Sequence, residues 1–75
     1  MINPKEFNFS ILTDPEIGQY IQFLYTGLNY SEDIWDELEE FMEVKFDICR
    51  LEESTYELDN INISDLLNLG FSKDS

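Results

Sequence analysis

Hydrophobic and polar positions alternate first at residues 5–12. Phe7, Phe9 and Ile11 are separated by Asn8 and Ser10, with Glu6 before them. Period two predicts a half-buried strand. Thr13-Asp14-Pro15-Glu16 then reads as a helix start, with Pro15 at a first position that needs no amide donor. Either Asp14 caps directly or Thr13 and Glu16 form a capping box. A helix over residues 15–26 would place Ile17, Tyr20, Ile21, Leu24 and Tyr25 on one side. Phe23 lies off that stripe and is expected at the core edge, and Gly27 would close the helix in a left-handed conformation.

Residues 31–43 give the clearest helical pattern. With Ile34 at zero, Leu38, Phe41, Met42 and Trp35 fall within about 100° of it, and the acids fall between about 140° and 300°. The two arcs do not overlap. Ser31 is expected to cap this helix, and the short link 28–30 predicts that it packs antiparallel to the first helix.

From Val44 the period returns to two. Val44, Phe46 and Ile48 alternate with Lys45, Asp47 and Cys49, so a strand is expected to about Leu51; a helix continuing to Arg50 is the alternative. Glu52-Glu53-Ser54 reads as a turn, and Tyr56 and Leu58 should point inward from a second strand. Ser64-Asp65 would cap a short helix carrying Leu66, Leu67 and Leu69, closed by Gly70, with Phe71 packing back and residues 72–75 a disordered tail. These elements predict a single α+β domain over residues 1–75. Its order is β-α-α-β-β-α, with a three-stranded antiparallel sheet packed on a helix pair.

Composition supports folding but adds a strain. Hydrophobic residues make up 43% of the 75 and aromatics 15%, too rich for a disordered chain. Seventeen acids face four bases, for a net charge of −13, and that self-repulsion opposes compaction. The charge excludes direct binding to nucleic acid or an anionic membrane, which require Lys and Arg. It favours a basic protein as partner.

The acids concentrate in one place. Glu32, Asp33, Asp36, Glu37, Glu39, Glu40 and Glu43 occupy residues 31–43 with no base among them. On a helix this is one charge per roughly 2.4 Å of axis, against about 1.7 Å in duplex DNA. Like-charge pairs one turn apart, such as 32/36 and 36/40, each cost roughly 0.2–0.5 kcal/mol, so stability is given up for this face. Asp47, Glu57 and Asp59 are expected to extend it.

Catalytic and metal chemistry find little support. The chain has no His, no P-loop and no nucleophile elbow, and no cofactor is expected. Residues 59–65 offer oxygens but lack the central Gly and terminal Glu of an EF-hand loop, so a capped loop is expected and no metal. Cys49 is alone, so no internal disulfide forms, and it should be a small buried residue. Trp35 is expected to anchor the core rather than an interface. The start Met-Ile-Asn-Pro-Lys lacks a signal peptide's apolar core, and no run is long enough to span a membrane, so a cytoplasmic location is expected.

The function expected from these features is not enzymatic. The acids would stand in for nucleic-acid phosphates and block a DNA- or RNA-binding protein, with the chain acting as a monomer or a dimer. Composition parallels anti-restriction and anti-CRISPR proteins of phages and mobile elements. The alternatives are an immunity protein or antitoxin that neutralises a basic toxin, and a small adaptor that docks through an apolar helix face.

Overall fold

A computed structural model describes residues 2–58 and 61–74. After a 3-10 turn at Pro4–Glu6, strand β1 (Phe7–Asp14) forms a hairpin with β2 (Gly18–Tyr25). Helix α1 (Ile34–Phe46) follows, then the short strands β3 (Arg50–Glu52) and β4 (Thr55–Glu57), helix α2 (Ile63–Leu69) and β5 (Ser72–Lys73). The strands make one sheet in the order β3-β4-β2-β1-β5, antiparallel except for the β1–β5 pair. The α+β class is as expected. The sheet is five-stranded and mixed, and the element order differs.

The largest correction is β2, where a helix was expected over residues 15–26. The expected cap does form: Asp14 Oδ1 accepts from the amides of Glu16 at 2.8 Å and Ile17 at 3.3 Å. The turn then stops, because Gly18 takes φ +84°, a left-handed conformation that reverses the chain into a hairpin. Eight residue pairs from Asp14↔Gly18 to Phe7↔Tyr25 close the ladder. Ile21 and Phe23 therefore point inward and are buried, whereas Ile17 and Leu24 are exposed. Gly27 closes no helix and has no positive φ. With no first helix, there is no helix pair.

The stripe on α1 behaves as its spacing predicts: Ile34, Leu38 and Met42 are buried, and Trp35 and Phe41 pack against them half-buried. The helix begins three residues after Ser31. Ser31 holds the preceding turn, its Oγ accepting from Asp33 N at 3.3 Å and its carbonyl from Ile34 N at 3.1 Å. Asp33 occupies the N-cap position without a side-chain cap bond. At the other end the helix runs through residues 44–46, so the strand expected there begins only at Arg50. Asp47 ends the helix in a left-handed conformation (φ 53°, ψ 48°), which a short polar side chain tolerates. Ile48 is then buried, and Cys49, expected to be buried, is exposed.

β3 and β4 form the expected hairpin, but β4 pairs with β2 and not with β1. Asn62, not Ser64 or Asp65, caps α2, accepting from Ser64 N at 3.0 Å. Gly70 closes α2 with φ +116°, and Phe71 packs back into the core, as expected. Leu66 is buried, but Leu67 faces solvent. The tail is not wholly free: β5 pairs with β1, and Asp74 N donates to Phe9 O at 2.7 Å.

The core is aromatic and lies on the inner face of the sheet. The Phe23 ring sits 5.3–6.5 Å from those of Phe71, Tyr56, Phe9 and Phe7. Phe7 in turn meets Trp35 at 5.9 Å, edge to face, so Trp35 contacts the core as expected. The outer face carries the alternate residues of the ladder: Asn8, Ser10 and Leu12 on β1, Leu24, Gln22 and Tyr20 on β2, and Thr55 and Glu57 on β4. By the same register Asp14 opposite Gly18 and Glu52 opposite Thr55 fall on this face, so its charged ladder residues are Asp14, Glu52 and Glu57.

Tyr56 is the exception to good pairing within the core. It is fully buried, and its hydroxyl makes no hydrogen bond within the protein. Burial pushes its pKa from 10.0 to about 12; the Arg50 guanidinium opposes the shift, and Glu39, Glu43 and Asp36 add to it. The stability tied to this shift is intact below pH 10, where the phenol is protonated folded or unfolded. As pH rises from 10 to about 12 only the unfolded chain ionises, so about 2–3 kcal/mol should be lost. Tyr56→Phe removes an unpaired hydroxyl and should leave stability at neutral pH equal or higher by about 1 kcal/mol. Urea melts at pH 8 and pH 11.5 check both: the variant should lose less stability between them than the parent, and an equal loss would refute the assignment to Tyr56.

Candidate functional site: an acidic helix face

α1 owes its acidic side to the same spacing that buries its other side. With the apolar stripe fixed against the sheet, Asp36, Glu37, Glu40 and Glu43 are exposed. Glu39 sits nearer the core and is half-buried. Asp36 and Glu37 lie in the first turn, where the helix dipole favours negative charge. Glu32 and Asp33 are exposed in the turn just before the helix, and Asp47 is exposed at its end. Seven of the predicted residues therefore lie along one element and its entry, and Asp47 follows at its C-cap.

Two predicted residues are not part of this arrangement. Glu57 neighbours the buried Tyr56 on β4 and so points to the outer face of the sheet, away from the core side. Asp59 lies outside the described residues.

Arg50 was not anticipated in this role. Its Nη1 donates to Asp36 Oδ1 at 3.1 Å and to Glu39 Oε1 at 3.3 Å. Its Nε donates to the carbonyls of Glu52 and Glu53, both at 3.1 Å. One guanidinium thus ties the backbone of the β3–β4 turn to α1, while the Glu52 side chain, opposite Thr55, belongs to the outer face of the sheet. Its side chain is only 19% exposed. Burial opposes its charge, but the hydrogen bond to Asp36 and the charges around it outweigh that and raise its pKa further. No sequence pattern marks it, since the pairing depends on where β3 falls beside α1.

Arg50→Lys tests the fork. A lysine keeps the charge but cannot donate from two sides of a plane. The variant should lose about 1–2 kcal/mol in urea denaturation, and the amide protons of residues 52–54 should exchange faster. Unchanged stability and exchange would show that the four contacts contribute nothing.

The acidic face borders an open groove of about 480 Å³ lined by Ile2, Phe41, Val44, Glu37, Glu40 and Lys45. Among the described residues no three His, Cys, Asp or Glu side chains converge to hold a metal ion, and no helix is long and apolar enough to cross a membrane. Comparison with known proteins returns no match: no family model fits the chain, and no curated protein or solved structure matches it.

Proposed function

We propose that this protein is an acidic stoichiometric inhibitor that occupies the nucleic-acid-binding surface of a basic protein. The observation that carries the reading is the exposed carboxylate face of α1, flanked by the exposed Glu32 and Asp33 at its entry and Asp47 at its end. From Asp36 to Glu43 five carboxylates lie within about 10 Å of helix axis, a density near that of a phosphate backbone. The face is built on a helix whose other side is locked into the core, so its charges are held in place before binding. Lys and Arg on the target would meet carboxylates in the positions of phosphates. The protein acts by occupancy and not by turnover, in the cytoplasm, in the manner of an anti-restriction or anti-CRISPR protein. An immunity protein directed at a basic nuclease would use the same physics on a different target.

The test begins with proteins that a host lysate yields on immobilised heparin. These are passed over the tethered protein at about 0.05 M and 0.5 M salt, where the Debye length falls from about 14 Å to about 4 Å. A retained protein should elute with salt, be displaced by duplex DNA, and lose its own DNA or RNA binding to one equivalent of inhibitor. Retention that duplex DNA and RNA both fail to displace would overturn the reading.

A further inference from the structure

Resting on that reading, we infer that the groove beside the acidic face is a docking site for a basic amphipathic helix of the target, which places one row of bulky apolar side chains between Ile2, Phe41 and Val44. The floor of the groove is apolar and its rim is charged. Val44 is 78% exposed, a β-branched apolar residue left on the helix surface beside Phe41 and between Glu43 and Lys45. Phe41 is half-buried, its inner side against Phe71 at 5.9 Å between ring centres. Glu37 and Glu40 stand along the rim, on the same helix as the floor.

The chain already shows how a cation sits there. Lys45 lines the groove and holds its ammonium 6.0 Å from the centre of the Phe41 ring. A basic partner would bring more positive charge to a rim of two carboxylates and one ammonium, on a molecule of net charge −13. A volume of about 480 Å³ falls inside the roughly 300–1,000 Å³ of sites that accept bulky apolar groups. Charge complementarity selects the sign of the partner, and the apolar floor selects among basic partners. The carboxylates alone would accept any cationic surface; the groove adds a requirement for an apolar row next to the bases.

The probes are two synthetic helical peptides with the same number of lysines. One carries Leu at i, i+4 and i+7, and the other carries Ala at those positions, which keeps helix propensity. The parent protein should bind the Leu peptide at least about tenfold more tightly at about 0.5 M salt, where the Debye length is about 4 Å. Amide shifts should move at Ile2, Phe41 and Val44. Val44→Gln removes part of the floor without changing charge, and it should shrink the Leu-over-Ala preference to less than about threefold, with its fold checked by thermal melting. Equal binding of the two peptides by the parent, or an undiminished preference in Val44→Gln, would overturn the groove. Failure of the Ala peptide to bind even at low salt would tell instead against the acidic face, and leave the Leu preference to be read separately.

Discussion

Phe23→Ala is expected to unfold the domain or bring it to the edge of unfolding. The ring is buried to 2% exposure and touches four other aromatic rings contributed by β1, β4 and the segment after α2. Truncating such a residue costs about 3–5 kcal/mol. A 75-residue domain has a total of about 4–11 kcal/mol at the usual stability per residue. Much of the chain's stability therefore passes through one side chain. Circular dichroism and urea melts of the variant give the result directly. A cooperative transition within about 1 kcal/mol of the parent would mean that Phe23 faces outward, and with it that β2 is not a strand of this register.

The second large effect is on binding. Replacing Glu32, Glu40 and Glu43 by Gln and Asp33 by Asn removes four exposed carboxylates and changes the net charge from −13 to −9. Asp36 and Glu39 are left alone because Arg50 holds them. Asn is as good as Asp at an N-cap, and Gln matches Glu in helix propensity, so the helix should survive. Relief of like-charge neighbours should hold stability level or raise it slightly. Affinity for the basic target should fall by about 2–4 kcal/mol, or roughly 30- to 1,000-fold in Kd, with a shallower dependence on salt. A variant that inhibits at the parent's potency would remove the phosphate-mimic reading.

These two experiments also mark where the sequence could and could not be read. β1 was legible because Phe7, Asn8, Phe9 and Ser10 fit only period two. α1 was legible because its apolar and acidic arcs share no angle. The run 17–25 fits both periods: residues 17, 20, 21, 24 and 25 make a helical stripe, and residues 21, 23 and 25 make a strand face. What decides between them is pairing with β1 over eight residues, a contact between distant parts of the chain that no local window contains. Local capping chemistry at Asp14 was read correctly and still misled, because a single turn and a helix start share their first hydrogen bonds. The end of α1 was missed for a related reason. Asp47 adopts the left-handed conformation without being glycine, so the helix stops with no glycine to announce it.

The site divides in the same way. The acids of α1 could be placed from spacing alone, since one face of an amphipathic helix must be exposed once the other is buried. Arg50 could not, because its four contacts join β3, the β3–β4 turn and α1, whose relative positions emerge only from the sheet order. Glu57 faces outward as the period-two reading of its strand implies, but only the sheet order shows that this outer face lies away from α1. With the helix running on to Phe46 and β3 beginning only at Arg50, Cys49 faces solvent, not the core.

The outer face of the sheet gives the molecule a polarity of its own. On that face the ladder carries three acids, Asp14, Glu52 and Glu57, spread over three strands, whereas α1 and its flanks carry the densest row of carboxylates. Negative charge is therefore denser on the helix side than on the sheet side. Near a cationic surface such a body feels a torque as well as an attraction, acting over a Debye length of about 10 Å at 0.1 M salt. It would rotate helix-first before any side chain made contact. Rotational search would then be shortened at low ionic strength, and association would slow with added salt even for a final contact made by the apolar groove.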